Sequence, residues 1–252
     1  VLLACSIAGA LPAGPWTAYG ALAAGVALTI GALSSLVLPG RLRASGLTPA
    51  IIGVSLGLFG LLSGTLGIQP ERICALLAAL LLLVCLSIPW LAMASTPVRV
   101  TGPSAAAQID PRHIDKSVSM GVSMSVSIRL GTCLALVILT PILCSTSQGI
   151  ALSALIGAAL MLSTRSIRSR VEVLIGVLSG MAVLAWAAYA AALQSATSLL
   201  LVLVTSLTGS LLVLATNVVT PKTRPWLSRT ADTISTLVII AVPPFALYMW
   251  GM

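Results

Sequence analysis

The sequence "VLIGVLSGMAVLAWAAYAAAL" at residues 173–193 is a run of 21 residues without a charged side chain. An α-helix needs about 20 predominantly apolar residues to cross the hydrocarbon core of a bilayer. Because that core offers no water to pair with backbone amides and carbonyls, a run of this kind crosses as a helix and not as an isolated strand. The stretch therefore predicts a transmembrane helix.

The composition of the whole chain carries the same signal. The chain has 252 residues, of which 58% are hydrophobic and 7% are charged, and its mean hydropathy is +1.13. A soluble domain has about 25% charged residues, so this chain is predicted to be an integral membrane protein. Aromatic residues make up only 4% and no basic groove pattern is present, so we interpret the net charge of +8 as a membrane-orientation signal and not as a nucleic-acid surface.

Apolar runs that are long enough, or nearly so, to cross a bilayer recur along the chain. Eight such runs cover residues 17–38, 47–68, 73–93, 129–145, 149–164, 171–193, 196–219 and 231–251. Residues 1–11 already lie in an apolar run and are interpreted as the tail of a further helix, so the chain is expected to be part of a larger molecule. The predicted fold is all-α, a polytopic transmembrane bundle of nine helices.

One long polar segment interrupts the apolar runs. Residues 94–116 contain three prolines and separate the spans into two groups. We expect a first transmembrane group at 1–93, a cytosolic loop with an amphipathic helix at 94–128, and a second group of five helices at 129–252.

The end of this segment, "SVSMGVSMSVSI" at residues 117–128, alternates polar and apolar residues as a strand does. A lone strand that enters a membrane span would leave its edges unpaired. As a helix, the same residues form rows four apart: Ser119, Ser123 and Ser127 in one row, Met120, Met124 and Ile128 in another. We therefore expect an amphipathic helix that continues into the span at 129–145.

The basic residues are confined almost entirely to alternate connections. Nine alternating helices place the connections 39–46, 94–128, 164–170 and 220–230 on one side, and this side carries twelve of the thirteen Lys and Arg residues. The charged residues on the other side are Glu71 and Arg72, which cancel. By the positive-inside rule, the basic side is cytoplasmic and the C-terminus lies outside. The basic residues assigned to this signal, with lipid or subunit contact as a further role, are Arg41, Arg43, Arg129, Arg165, Arg168, Arg170, Lys222, Arg224 and Arg229.

The densest basic group is "STRSIRSRVE" at residues 163–172, which contains Arg165, Arg168 and Arg170. We interpret it first as an anchor of membrane topology. A contact with lipid phosphates or with the acidic face of a partner is a second interpretation that the sequence leaves open.

The predicted spans offer little reactive chemistry. Ionisable side chains that serve transport lie inside membrane spans, and the interior is expected to contain none. Glu172 and Asp232 lie at predicted helix starts, where a carboxylate suits the helix dipole, and pairing with Arg168 or Arg229 is expected. The only histidine, His113, is isolated in the polar segment, and no catalytic motif is present. No enzymatic activity, metal or cofactor is expected, and the five cysteines (Cys5, Cys74, Cys85, Cys133 and Cys144) are interpreted as small buried hydrophobic residues.

Pairs of glycines four residues apart mark candidate helix-packing surfaces. They are Gly53 and Gly57, Gly60 and Gly64, and Gly176 and Gly180. Packing within the chain and packing against another subunit are both compatible with this spacing. Pro141, Pro243 and Pro244 lie inside predicted spans and are expected to bend them.

The order of these features resembles the EccD family, the multi-spanning subunit of mycobacterial type VII (ESX) secretion systems. The resemblance rests on five C-terminal helices after a long cytosolic loop, on the Arg-rich turn "LSTRSIRSRVEVL", and on the last segment "TPKTRPWLSRTADTISTLVIIAVPPFALYMWGM". It implies an eleven-helix protein of which this chain is the end of helix three through helix eleven. The loop after residue 93 reads "STPVRVTGP", which differs from the Leu/Pro-rich stretch of the family.

The resemblance also implies a function. It implies a non-catalytic scaffold in the inner (cytoplasmic) membrane, in which two copies pair around a lipid-lined vestibule. The implied partners are a second copy of the chain, subunits of the EccB, EccC and EccE types, of which EccC is an FtsK-like ATPase, and membrane lipids, with no nucleic acid. A secondary transporter of a neutral or apolar solute is the alternative hypothesis, and a polar pocket at mid-depth would favour it.

Overall fold

Seven helices are described by the computed structural model of the chain, which describes residues 18–34, 46–66, 68–95, 111–164, 169–194 and 224–251. They are α1 (Ala18–Ser34), α2 (Leu47–Leu66), α3 (Pro70–Ser95), α4 (Pro111–Leu143), α5 (Ser147–Ser163), α6 (Arg170–Gln194) and α7 (Arg224–Gly251). These ranges contain no strand, and the predicted all-α membrane fold is confirmed. The helices predicted at 1–11 and 196–219 lie outside the described residues.

Each described helix corresponds to one of the predicted apolar runs. Four of them contain segments long and apolar enough to cross a membrane, namely Leu47–Thr65, Pro70–Ile88, Gly121–Leu143 and Arg170–Gln194. The other three contain shorter apolar segments, namely Gly20–Leu33, Ser147–Ser163 and Thr236–Gly251. The chain is therefore a multi-pass membrane protein.

Helix α4 is the longest described helix, with 33 residues. At a rise of about 1.5 Å per residue it extends well beyond the roughly 30 Å hydrocarbon core of a bilayer. The stretch at 117–128 is helical and continues without a break into the apolar part of α4, as predicted. The helix begins at Pro111, earlier than expected, and proline is a favoured residue at the first helical position because its missing N–H would have no partner there.

Helices α4 and α5 form the centre of the bundle. Helix α4 contacts α2, α3, α5 and α6, and α5 contacts α3, α4, α6 and α7. Twelve of the seventeen residues of α5 are buried, and they are distributed around its whole circumference. An apolar helix that is covered on every side is typical of the core of a large bundle.

One apolar core joins the helices that precede and follow the polar segment. Its most buried large side chains are Phe59, Ile73, Leu82, Leu136, Leu139, Leu152, Ile156, Leu160 and Val242, which come from α2, α3, α4, α5 and α7. A smaller cluster that includes Ile150, Ala154, Met161, Leu184 and Ala187 fills the contact between α5 and α6. The two predicted helix groups therefore pack together as one bundle.

Glycines allow two pairs of helices to approach closely. A Cβ atom on Gly25 of α1 would overlap the backbone nitrogen of Gly57 of α2, and one on Gly53 would lie 2.9 Å from the carbonyl oxygen of Gly25. Between α5 and α6, a Cβ atom on Gly180 would lie 3.0 Å from the carbonyl oxygen of Gly157. These glycines thus serve packing inside the chain, because only small residues permit such backbone contact.

The described helix ends meet in two separate sets. Thr48 Oγ1 of α2 donates a hydrogen bond to the carbonyl oxygen of Ser127 in α4 at 2.9 Å. At the opposite end, Arg72 Nη1 of α3 donates to the carbonyl oxygen of Trp250 in α7 at 3.2 Å. We call these the basic end and the near-neutral end, after the charges of their predicted connections. Each contact joins two residues that the alternation of the spans assigned to the same side.

Candidate functional site

A buried arginine occupies the basic end. Arg129 is only 2% exposed and is the largest fully buried side chain among the described residues. Its Nη2 donates a hydrogen bond to Ser163 Oγ at 3.2 Å, at the end of α5. Its buried Nε has no hydrogen-bond partner among the described residues. A guanidinium is always charged in proteins, so the bundle holds a positive charge between α4 and α5.

A buried carboxylate lies close to this arginine. Glu172, in the first turn of α6, is 8% exposed. One of its carboxylate oxygens, Oε1, accepts a hydrogen bond of 2.8 Å from Ser125 Oγ of α4. Ser125 and Arg129 are four residues apart on α4 and therefore face the same side of that helix.

Gly176 makes room for the guanidinium. A Cβ atom at this position of α6 would lie 2.9 Å from Nη2 of Arg129 and 2.5 Å from Cγ2 of Thr164. The absence of a side chain at Gly176 thus makes room for the side chain of Arg129, which is a more specific packing role than close contact between two backbones. Gly176 lies four residues after Glu172, and Arg129 lies four residues after Ser125. Helices α4 and α6 therefore meet at two levels one turn apart, through Ser125 and Glu172 at one level and through Arg129 and Gly176 at the other.

Five residues form what we call the latch cluster: Ser125, Arg129, Ser163, Glu172 and Gly176. The midpoint of the 25-residue span Arg170–Gln194 is Ala182. Glu172 lies ten residues before it, or about 15 Å, which is roughly half the hydrocarbon thickness. Arg129 is level with Gly176 and thus lies about 6 Å deeper than Glu172. The cluster spans the boundary between hydrocarbon and headgroups at the basic end.

The near-neutral end has a different polar network. Glu71 accepts a hydrogen bond from Ser145 Oγ at 3.1 Å, and Arg72 Nε donates to Gln69 Oε1 at 3.1 Å. Gln194, the last residue of α6, donates through Nε2 to the carbonyl oxygens of Cys144 and Ser145. Together with the Arg72–Trp250 contact, these bonds connect α3, α6 and α7 with the connection between α4 and α5.

The connection between α4 and α5 is itself tightly bonded. Thr146 is the N-cap of α5 and its Oγ1 accepts a hydrogen bond from the backbone N–H of Gly149. Such a cap pairs one of the four N–H groups that have no partner inside a helix. Cys144 donates through Sγ to Ser153 Oγ at 3.2 Å. Burial raises the pKa of the Cys144 thiol, so it is held in its neutral form.

A small open cavity also lies at the near-neutral end. Its volume is about 240 Å³ and it is lined by Pro70, Glu71, Pro141, Ile142 and Ser145. Ligand pockets are typically larger, roughly 300–1,000 Å³. Its lining residues place this cavity near helix ends and not at the mid-depth position that a transported solute requires.

Arg129 and Glu172 lie near the end of the bundle to which the sequence assigns them, but both side chains are buried there. The sequence assigns Arg129 to the basic side because it stands at the start of an apolar run. In the structure the helix extends upstream of it, and the side chain is covered by α5 and α6. Among the described residues, Glu172 accepts a hydrogen bond from Ser125, and its expected pairing with Arg168 stays a prediction because Arg168 lies outside the described residues. Helical spacing could have shown that Ser125 and Arg129 share one face of α4, since they lie one turn apart. Nothing in the sequence indicated that this face of α4 contacts Glu172.

The remaining basic residues of the topology signal are placed as follows. Arg170 is exposed at the start of α6. Arg224 and Arg229 lie in the first two turns of α7. Arg41, Arg43, Arg165, Arg168 and Lys222 lie outside the described residues.

The other predicted positions agree with roles in packing. Gly60 is buried, whereas Gly64 is exposed. Four cysteines, Cys74, Cys85, Cys133 and Cys144, are buried and free, and Cys5 lies outside the described residues. Within the described ranges, no three His, Cys, Asp or Glu side chains come together as metal ligands would.

Comparisons with known proteins bear on the whole chain. A family model described as "EccD-like transmembrane domain" matches residues 1–252. A search of curated protein sequences finds no match. The solved structure described as "Structure of protomer 1 of the ESX-3 core complex" has the same fold, with a TM-score of 0.70 at 16% sequence identity. The alignment covers 97% of this chain and 59% of that chain, so this chain spans less than two thirds of the other's length.

The likeness to the solved structure shows the fold, and the family model shows the family, because it extends over every residue of the sequence. The resemblance predicted from the Arg-rich turn and the last helix is confirmed by this match. The chain belongs to the family of EccD-like transmembrane domains.

Proposed function

We propose that this chain is a non-catalytic scaffold in the membrane complex of a type VII protein secretion system. The observation that carries the proposal is the match of the EccD-like family model to all of residues 1–252. The fold shared with a protomer of the ESX-3 core complex supports it. In this role, the outer surfaces of the chain would bind the other subunits of the complex.

The interior of the bundle is suited to such a role. Side chains of α2, α3, α4, α5 and α7 fill a common apolar core, and α5 is covered on all sides. Large apolar side chains remain exposed on the outer surfaces of α6 and α7, for example Leu178, Leu193, Leu237 and Leu247. Such surfaces are compatible with contact with lipid tails or with apolar surfaces of other helices.

We propose that the basic end faces the cytoplasm and that the C-terminus lies outside. The support is the concentration of Lys and Arg in one set of connections. Segments 1–93 and 129–252 would then be two membrane groups of one bundle, joined by a cytosolic segment at 94–128. The basic residues at 163–172 would contact lipid phosphates or an acidic surface of a partner.

The proposed partners are a second copy of this chain and subunits of the EccB, EccC and EccE types. In this arrangement the two copies enclose a lipid-lined vestibule, and the FtsK-like ATPase supplies the energy. These partners are taken from the family to which the chain belongs.

A secondary transporter is the second candidate function. The observation that favours it is the latch cluster, because ionisable residues inside membrane spans often mark the path of an ion or proton. Arg129 and Glu172 lie near one end of the bundle, however, and both are covered by neighbouring helices. The scaffold proposal accounts better for this position.

The experiment that tests the proposal is purification of the tagged, full-length protein from native membranes in mild detergent. Sizing and mass spectrometry of the product are expected to give a very large particle that contains an FtsK-like ATPase. A monomer or homodimer that persists in several detergents would contradict the scaffold and favour the transporter. Replacement of Arg165, Arg168 and Arg170 by Glu is expected to lower the yield of the large particle, and unchanged topology and complex yield would refute the proposed role of these arginines.

A further inference from the structure

The latch cluster contains two charged side chains that the scaffold function does not by itself require. Arg129 and Glu172 are both at least nine-tenths buried. Removing a charge from water is costly unless the charge is compensated by an opposite charge or by hydrogen bonds. Among the described residues, Arg129 donates to Ser163 and Glu172 accepts from Ser125. A neutral hydroxyl is modest compensation for a buried charge.

The geometry provides a second source of compensation. Ser125 and Arg129 are one turn apart on α4, and Glu172 and Gly176 are one turn apart on α6. The guanidinium of Arg129 is level with Gly176, one turn after Glu172. Measured along the helix axis, the carboxylate of Glu172 therefore lies about one helical pitch, roughly 5–6 Å, from the guanidinium. Two opposite charges at such a separation interact strongly in a medium of low dielectric constant.

The helix ends reinforce both charges. Ser163 is the last residue of α5, and the C-terminal end of a helix carries a partial negative charge. Arg129 donates its hydrogen bond at that end. Glu172 lies in the first turn of α6, where the partial charge is positive. Each side chain thus lies at the helix end of opposite sign.

We infer that Arg129 and Glu172 form one charge-compensated latch, in which neither charge is tolerated in the bundle without the other. The latch ties α4 both to the end of α5 and to the start of α6. These two points, Ser163 and Glu172, lie close to Thr164 and Ser169, the described residues on either side of the basic connection at 165–168. Arg129 and Glu172 are therefore positioning residues that set the separation of the two ends of that connection.

A double-mutant cycle on the full-length protein in mild detergent tests the latch. Arg129→Met is expected to lower Tm by about 10 °C, because it leaves the carboxylate buried without its opposite charge. Glu172→Gln is expected to lower Tm in the wild-type chain but to raise it in the Arg129→Met chain, so that the double variant returns to within about 4 °C of wild type. If Glu172→Gln lowers Tm equally in both backgrounds, the two charges act independently and the latch is refuted.

Two control variants separate the charges from the other contacts. Arg170→Gln removes an exposed positive charge at the same end and is expected to shift Tm by less than about 3 °C. Ser125→Ala removes the hydrogen bond to Glu172 but keeps both charges, and its effect on Tm is expected to be smaller than that of Glu172→Gln. If Arg129→Met yields no folded protein, the amounts in the membrane are compared. More of the double variant than of Arg129→Met supports the latch, and equal absence of both refutes it.

The positioning role rests on the proposed function and has its own readout. The double variant Arg129→Met/Glu172→Gln is expected to be stable but to purify from native membranes with less than half of the wild-type amount of partner subunits. A stable double variant with wild-type amounts of partner subunits would refute the positioning role. If the wild-type protein itself gives no large particle, the proposed function fails, and the Tm cycle still decides whether the latch exists.

Discussion

The two ends of the bundle differ in how deeply their charged side chains are buried. At the basic end, Arg129 and Glu172 are buried, and each is bonded to a hydroxyl group of the part of the chain that the structure describes. At the near-neutral end, Glu71 and Arg72 are only half-buried, and Arg72 bonds both a side chain and the last turn of α7. This comparison indicates that the burial of a charged residue, and not the number of charges at its end of the bundle, decides how much the residue contributes to stability. Buried charges are costly to leave unpaired, whereas exposed pairs are typically worth less than about 1 kcal/mol.

At the near-neutral end, the start of α5 packs closely against the backbone at the end of α4. The largest effect expected from one residue at this end is therefore a steric one. A Cβ atom on Gly149 would overlap the carbonyl oxygen of Leu143. This oxygen belongs to the backbone of Leu143, the last residue of α4, so it can move only if the chain around it shifts.

Gly149→Ala is expected to cost about 3 kcal/mol or more, since overpacking against backbone leaves little room for adjustment. The measurement is the Tm of the purified protein, together with its yield. Gly121→Ala is the matched control, because a Cβ atom there meets nothing within 4 Å. The control is expected to stabilise α4 by up to about 1 kcal/mol, as alanine favours the helix. Equal effects of the two substitutions would contradict this account of the turn.

At the basic end the corresponding substitution, Gly176→Ala, meets side chains. The new methyl group would crowd the guanidinium of Arg129 and Cγ2 of Thr164. Side chains can shift, so the expected cost is smaller, about 1–3 kcal/mol. Thr164→Ser removes the crowding methyl group and keeps a hydroxyl that can donate to Met161. The combined variant should recover part of the lost Tm, and failure to recover any of it would place the clash elsewhere.

The smallest effect is expected for Arg72→Ala at the near-neutral end. The variant loses the bonds to Gln69 and to the carbonyl oxygen of Trp250, both of which are exposed to solvent. The expected loss is less than about 1 kcal/mol, which corresponds to a shift in Tm of no more than about 4 °C. A larger shift than that of Gly176→Ala would reverse the comparison between the two ends.

Much of the fold follows from the sequence by simple counting. Runs of apolar residues locate all seven described helices, because backbone groups in hydrocarbon must pair within a helix. The alternation of basic connections also predicts which helix ends meet, and the contacts Thr48–Ser127 and Arg72–Trp250 agree with it. Both predictions rest on properties of single segments.

The sequence did not predict which face of each helix contacts its neighbours. On α4 the rows Ser119–Ser123–Ser127 and Met120–Met124–Ile128 appeared to define an amphipathic helix. The structure instead buries Ser125 and Arg129, which lie on a different row, and leaves Val122 and Met124 exposed. In a membrane helix that is apolar on several sides, the buried row is set by the neighbours. The glycine pairs show the same limit, because Gly176 and Gly180 share one spacing but accommodate an arginine and a helix backbone respectively.

The complete enclosure of α5 has a consequence for how the protein matches its membrane. With 17 residues, this helix is about 25 Å long, which is shorter than a typical hydrocarbon thickness of roughly 30 Å. A short helix in contact with lipid would have to thin the bilayer around it. Because α5 is surrounded by other helices, its length is decoupled from bilayer thickness. The outer helices, such as α6, then bear the hydrophobic mismatch, so lipids of different chain length should act on the rim of the bundle and leave its centre undisturbed.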